Sequence, residues 1–330
     1  MNVVTGAAGH IGNVLCRELL KKGEKVRAVV LPGEDTRSLD GLDVEKVEGD
    51  ILDKNFLKTL CKDVNHVYHL AAIVSITRKM KSMMEKVNVE GTRNIIEVCK
   101  ECNVQRLIYT SSIHAFIEPP KGTLIDEAGE INPQKTVGDY AKTKAQATLE
   151  VLKAAKNGLD AVIVCPSGVM GPFDYRPSEM GQLFIDFAER RLKAYVEGAY
   201  DFVDVRDIAH GHILAAEKGN SGEIYIMSGE LISITDILHY LEEITGVKAP
   251  WFKLQYWFAW WTEPLAQIYY TLAKQRPLFT RYSLYTLTSN ANVNDRKARE
   301  ELGYTSRPLE QSIKDTVMWL TDQGMLIIHT

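Results

Sequence analysis

Tyr140 and Lys144 are the residues whose types and spacing most directly suggest chemistry. Four apart on a helix, they share one face. A free phenol loses its proton only at about pH 10, and a neighbouring ammonium stabilises the phenolate and brings that value towards working pH. Such a pair can act as a general acid/base. A second group of hydroxyls, Thr110-Ser111-Ser112, closes a β-branched run. Hydroxyls there either complete the strand edge with local hydrogen bonds or orient a substrate oxygen. The third group is Thr5-Gly6-Ala7-Ala8-Gly9-His10-Ile11-Gly12. Its glycines permit a tight turn and close backbone approach, and a helix starting there offers free N–H groups to phosphate. A Tyr/Lys pair alone arises often by chance on a surface. A glycine loop between a first strand and a first helix is the context that points to dinucleotide binding.

The elements needed to position these groups are legible as alternating patterns. Val3-Val4, Val26 to Val30, Val44 to Val47, His66 to Leu70, Leu107 to Thr110 and Ala161 to Cys165 read as strands. Between several of them lie amphipathic stretches, Ile11 to Lys22, Lys54 to Cys61, Met83 to Cys102 and Asp139 to Lys156. Strands alternating with helices predict an α/β fold, a doubly wound parallel sheet with ligands beyond its carboxyl edge. Pro166, Gly168, Gly171, Pro172 and Pro177 then mark an irregular crossing. It is followed by a helix (Gly181 to Arg190), a strand (Phe202 to Val205), a helix (Ile208 to Lys218) and a strand (Glu223 to Met227). Ser233 is placed to cap a helix to about Thr245, and Asn294 one through Leu302. The expected organisation is a nucleotide-binding domain over 1–165, rejoined by 201–227, with 166–330 mainly a smaller, helix-rich substrate lobe.

The totals narrow the function classes. A formal charge of −4 gives no reason to expect nucleic acid. Five scattered cysteines suit a reducing compartment, and a cytoplasmic protein is expected. Cys99 and Cys102 form a lone CxxC with no partner pair, so no metal site is expected. The glycine loop begins at once, leaving no room for a targeting peptide. No apolar window is long enough for a membrane span. Trp251 to Leu272 comes nearest, broken by Lys253 and Glu263, and holds the aromatic stretch Trp251 to Tyr270. Its readings are core packing or a dimer face, an apolar substrate lid, or peripheral membrane contact, although the stretch itself has no basic face.

The glycines are spaced Gly-x-x-Gly-x-x-Gly, and further motifs follow in register. They are Gly49-Asp50-Ile51-Leu52-Asp53, His69-Leu70-Ala71-Ala72, Asn88-Val89-Glu90-Gly91-Thr92, Tyr109-Thr110-Ser111-Ser112, Tyr140-Ala141-Lys142-Thr143-Lys144, Pro166-Ser167-Gly168-Val169-Met170-Gly171-Pro172 and Phe202-Val203-Asp204-Val205-Arg206-Asp207. Over about two-thirds of its length the chain resembles the extended short-chain dehydrogenase/reductase family, within the NAD-dependent epimerase/dehydratase superfamily. The resemblance implies a Rossmann fold and an oxidoreductase moving a hydride between nicotinamide and a carbonyl or secondary alcohol. By the same resemblance Tyr140 is the acid/base, Lys144 also holds the nicotinamide ribose, and Ser112 orients the substrate oxygen. Thr110 and Ser111 are close enough for that last role to shift along the chain. Gly6, Ala8, Gly9, His10, Ile11 and Gly12 would cradle pyrophosphate. Asp50 and Ile51 would flank adenine, Leu70, Ala71, Ala72 and Thr110 would line the adjoining ribose and phosphates, and Pro166 and Val169 would face nicotinamide. Asn88 would brace the helix, and His69 would be a satisfied core histidine.

The second strand ends at Leu31, supplying neither the acid typical of NAD sites nor an arginine. Arg37 can reach a 2′-phosphate while Glu34 and Asp35 repel one; the balance leans to NADP(H), with NAD(H) open. Tyr-Thr-Ser-Ser, the Gly171-Pro172-Phe173 corner and Pro277-Leu278-Phe279-Thr280-Arg281-Tyr282 resemble the dihydroflavonol 4-reductase-like and 3β-hydroxysteroid dehydrogenase-like branch. Flavonoid reductases place Asn and Gln on substrate where Ile117 and Asp201 stand, which argues against a flavonoid. His114, Phe116, Ile117, Phe173 and Asp201 are the candidate substrate residues, and a small apolar molecule the expected partner. A nucleotide-sugar epimerase and a non-catalytic redox sensor or scaffold are the alternatives. The assembly is read as a monomer or a homodimer.

Overall fold

A computed structural model describes residues 1–75, 80–262 and 281–328, with side chains from 284 in the last stretch. Residues 263–270 of the aromatic stretch and Pro277 to Thr280 lie outside the described residues. A seven-stranded parallel sheet forms the centre, in the order β10-β6-β5-β4-β1-β2-β3. Its strands are β1 (Asn2–Thr5), β2 (Val26–Val30), β3 (Glu45–Glu48), β4 (His66–His69), β5 (Arg106–Thr110), β6 (Ala161–Pro166) and β10 (Ile224–Met227). β1, β6 and β10 are buried along their whole length and β2, β4 and β5 at all but one residue, which is why these read as continuous β-branched runs rather than alternations; β3, at the edge, is largely exposed. The helices α1 (His10–Lys21), α2 (Lys54–Leu60), α4 (Thr92–Glu101), α5 (Asp139–Lys156) and α7 (Val205–Lys218) cover the sheet. Val4, Leu15, Leu19 and Ile208 sit in the core on one face, with Val67, Ile95, Leu107 and Val151 on the other.

The expected helix from Met83 to Cys102 is interrupted. A short α3 (Lys81–Met84) passes into a π-helical turn over Glu85–Gly91 before α4 begins. Two local demands force the bulge. A Cβ on Gly91 would lie 2.4 Å from Ile51 Cδ1, so the backbone is pressed against that side chain. Asn88 meanwhile accepts from the Ile73 amide at 2.8 Å and donates to its carbonyl at 3.0 Å.

The strand expected at Phe202 to Val205 corresponds to β9 (Ala199–Asp204), and β9 does not join the central sheet. It lies between β7 (Gly168–Met170) and β11 (Glu230–Ser233) in a separate three-stranded sheet. From the 201–227 stretch, therefore, α7 and β10 return to the main layer while β9 does not. A third small sheet pairs β8 (Ala194–Val196) with β12 (Phe252–Leu254). Helices α6 (Glu179–Ala188), α8 (Ile234–Thr245), α10 (Arg281–Thr288) and α11 (Leu309–Asp322), with α9 over residues 256–262, complete this half. Ser233 Oγ accepts from the Asp236 amide at 3.0 Å and so caps α8.

His69 and His212 are buried and His114 is partly buried, and all three rings are held neutral. Burial pushes His69 down to about 3 and His114 and His212 to about 4. Each ring protonates at about 6.5 in the unfolded chain, so the folded state is favoured above 6.5 and loses ground as pH falls towards 4. Urea unfolding should therefore show stability falling by ~2 kcal/mol per histidine between pH 7 and pH 5. A flat or rising stability over that interval would contradict the burial of these rings as neutral groups.

Candidate active site

The carboxyl ends of β1, β2 and β4 meet at the glycine loop. Gly6 has φ +68, and a Cβ there would lie 2.9 Å from both Ala71 Cα and Ala71 N. A Cβ on Gly12 would stand 2.1 Å from Gly6 O, so the loop can close only with glycine at both positions. Gly9 caps α1 with no side-chain hydrogen bond, and the first turn carries no acid. The helix N-terminus thus offers backbone N–H groups and partial positive charge to an anion. His10 Nε2 bonds to Pro172 O at 3.0 Å, and Asn13 Nδ2 donates to Phe173 O at 3.1 Å. These contacts hold the corner after β7 over the start of α1. Phe173 adopts φ +68, with its ring 4.7 Å from the Arg17 guanidinium.

Behind the loop runs a hydrogen-bond relay whose polarity can be worked out. Thr92 Oγ1 donates to Asn88 O at 2.7 Å, so it must accept from His69 Nε2 at 3.0 Å. The neutral ring then accepts at Nδ1 from Thr5 Oγ1 at 2.8 Å, and Thr5 accepts the Ala71 amide at 3.2 Å. Asn88 Nδ2 continues the path to Thr143 Oγ1 at 3.0 Å, and Thr143 donates to Tyr140 O at 2.8 Å. His69 thus ties β1 to the start of α4, and Asn88 ties the segment after β4 to α5.

On α5 the Lys144 ammonium is buried, bonded to Thr110 O at 2.5 Å and 4.7 Å from the Tyr109 ring centre. Burial drives its pKa down to about 7. One carbonyl does not exhaust an ammonium's donors, which leaves Lys144 able to hold a ribose hydroxyl or a phenolate. Tyr140 lies one turn earlier on the same face, half-buried.

The hydroxyls at the end of β5 are distinguishable by what they already do. His212 Nδ1 bonds to Ile208 O at 2.8 Å and so carries the ring proton; Thr110 Oγ1 then donates to Nε2 at 2.7 Å. Thr148 donates to Lys144 O at 2.7 Å, so Ser111 donates to Thr148 at 2.6 Å. Ser112 Oγ accepts the His114 amide at 3.2 Å and keeps its own proton to give.

Ile113 and Ala141, the residues next to Ser112 and Tyr140, line a small cavity of about 30 Å³. Ile113, Phe116, Ile117, Ile125, Val137 and Ala141 form its apolar wall. Its polar groups answer one another: His114 Nε2 bonds to Tyr200 OH at 2.9 Å, and Glu118 accepts from Tyr285 OH and, at 2.6 Å, from the Asn290 amide. Of the proposed substrate residues, His114, Phe116 and Ile117 line this space. Phe173 and Asp201 do not. Asp201 is buried on β9 and accepts from the Gly229 amide at 3.2 Å, while its neighbour Tyr200 faces the cavity. Strand alternation carries the signal for Tyr200, since Tyr200 and Phe202 share the apolar face.

The other residues expected to meet the cofactor are spread along the sheet's carboxyl edge. Asp50 is exposed and accepts from the Leu52 amide at 2.9 Å, whereas Ile51 is buried against Gly91. Leu70 and Ala72 flank Ala71 after β4, Pro166 ends β6, and Val169 is half-buried on β7. Leu31 is exposed past β2, and its amide donates to Glu34 at 3.0 Å. Glu34 also pairs with Arg176 at 2.8 Å, and Arg37 with Asp35 at 2.8 Å. No group of three potential metal ligands occurs among the described residues, and none of their helices is long and apolar enough to cross a membrane.

The sequence has relatives of matching length. It is 37% identical to "Sterol demethylase protein B" of Methylococcus capsulatus, over 98% of this chain and 99% of that protein. It is 33% identical to a "Putative dihydroflavonol 4-reductase" of Synechocystis, over 97% and 94%. The crystal structure of gox2253 superposes with a TM-score of 0.87 at 33% identity, over 99% of each chain. UDP-glucose 4-epimerase of Thermotoga maritima shares the fold, with a TM-score of 0.80 at 21% identity over 98% of this chain and all (100%) of that one. The profile of the NAD dependent epimerase/dehydratase family matches residues 2–228, and the chain belongs to that family.

Proposed function

We propose that the protein is a nicotinamide-dependent oxidoreductase that interconverts a carbonyl and a secondary alcohol on an apolar substrate. The observation that carries this reading is the cavity lined by Ile113 and Ala141, the residues next to Ser112 and Tyr140. Its wall is largely aliphatic and aromatic, and no lysine or arginine lines it among the described residues. A nucleotide-sugar substrate brings a diphosphate that demands cations. The names of the relatives, sterol demethylase protein B and dihydroflavonol 4-reductase, are in keeping with an apolar ring system.

The glycine loop, the bare α1 N-terminus and the buried Lys144 fit a dinucleotide. A bound nicotinamide supplies or accepts the hydride. In the reducing direction Tyr140 gives its phenolic proton to the substrate oxygen, and Ser112 donates a hydrogen bond to the same oxygen as negative charge develops there. Lys144, held on Thr110 O, stabilises the phenolate left on Tyr140. The apolar walls exclude water from the reacting carbon, and the cavity has room for only about one or two waters, so substrate must part them.

On cofactor choice the structure moves the balance. Arg37, the reason to favour NADP(H), is clasped by Asp35, and Glu34 faces the Leu31 amide with Arg176 across from it. A 2′-phosphate has to win Arg37 from Asp35 and approach two carboxylates, whereas the hydroxyl of NAD(H) does not. NAD(H) is the preferred reading.

Two results are expected. Tyr140→Phe should lose turnover by ~100-fold or more while cofactor binding, followed by nicotinamide fluorescence, stays near that of the unaltered protein; full turnover in the variant would remove Tyr140 from the mechanism. NADH should bind more tightly than NADPH, and Asp35→Asn should narrow the gap by releasing Arg37. Tighter NADPH binding before the substitution would reverse the cofactor assignment.

A further inference from the structure

Helix α9 is built inside out. Its small residue Ala259 is buried, packed with Val196 and Leu284 and against Leu254, while its large residues face solvent. Trp257 is 63% exposed, Trp261 77% and, just before β12, Trp251 91%. Phe252, Phe258 and Trp260 are exposed as well. A helix of a water-soluble surface turns its apolar stripe inward. An outward aromatic patch of this kind marks a docking surface.

The residue types and the surrounding charge indicate what docks. The patch is made of Trp, Phe and Tyr rather than Leu and Ile, the composition favoured at a membrane–water boundary. The parallel pairing of β12 with β8 sets Phe252 opposite Ala194, which brings exposed Lys193 alongside Trp251. Exposed Lys248 precedes Trp251 by three residues, and Lys253 lies within the segment, paired to Glu197 at 3.1 Å. The basic fringe missing from the segment's own sequence is therefore supplied by the fold. Lysine is depleted at protein–protein interfaces but complements anionic headgroups.

We propose that residues 251–262 seat the protein on an anionic phospholipid surface, with the tryptophans in the headgroup layer and Lys193 and Lys248 against its charge. The patch is also coupled to the cavity. Leu284, which packs on Ala259, adjoins Tyr285, and Tyr285 forms part of the cavity wall. Docking thus places a wall of the site one packing layer from the bilayer, where a hydrophobic substrate dissolves. This last step rests on the apolar-substrate reading; the docking itself does not.

The test is co-sedimentation of the full chain with vesicles of phosphatidylcholine alone or mixed with phosphatidylglycerol. Binding is expected to the mixed vesicles, weakening as salt rises. The double variant Trp257→Ala, Trp261→Ala should lose ~10-fold or more of its partitioning. Lys193→Glu with Lys248→Glu should lose the preference for phosphatidylglycerol. Retained NADH binding in each variant reports that it has folded, and is read independently of the vesicles. Failure to sediment with mixed vesicles, unchanged partitioning in the tryptophan variant, or a dimer in solution that this variant dissociates would overturn the proposal.

Discussion

The cleft depends on one buried histidine staying neutral. His69 accepts from Thr5 at the end of β1 and donates to Thr92 at the start of α4, and this polarity is enforced by the onward bond from Thr92 to Asn88. Through Asn88 and Thr143 the same path reaches the backbone of Tyr140. A protonated ring could not accept from Thr5, and a ring with the other tautomer could not donate to Thr92. The strand that carries the glycine loop is thereby locked to the helix that carries Tyr140 and Lys144. Buried networks of this kind hold geometry only when every member is satisfied. Around it, the glycine contacts at Gly6 and Gly12 and the bonds from His10 and Asn13 to the corner after β7 fix the remaining walls.

Much of this was legible in the chain. Glycine spacing, the strand-to-helix alternation and the Tyr140/Lys144 register are local signals, and the seven-stranded sheet follows from them. The break in the helix at 85–91 was not legible, because it answers to contacts with Ile51 and Ile73 that only folding brings together. Nor was the placing of β9, since a short strand carries no mark of the sheet it will join. The substrate residues show the same limit at finer scale. His114, Phe116 and Ile117, close behind Ser112, reach the cavity. Asp201 misses it because one step along a strand reverses the face, and it is Tyr200 that enters. Phe173 packs instead on Arg17. Glu118, Tyr285 and Asn290 meet there only through folding.

Burial shapes the chemistry as well as the frame. Lys144 has a pKa near 7 because it is removed from water, and it therefore meets a phenolate or a ribose with little competing solvation. The hydroxyls of Thr110 and Ser111 are committed to His212 and Thr148, which leaves Ser112, next to the cavity residue Ile113, with a proton to donate. The cavity bounded by Ile113, Ala141 and α10 sets aliphatic side chains beside polar groups that largely bond one another, His114 with Tyr200 and Glu118 with Tyr285 and the Asn290 amide.

The central claim is hydride transfer to such a substrate, and isotope tracing tests it most directly. Purified protein would be mixed with NADH deuterated at nicotinamide C4 and a panel of hydrophobic cyclic ketones, and the products read by mass spectrometry. The account predicts deuterium on the carbinol carbon of at least one product, with matching cofactor oxidation. Absence of label in every ketone, together with interconversion of UDP-sugars without net cofactor oxidation, would contradict it and assign the site to epimerisation.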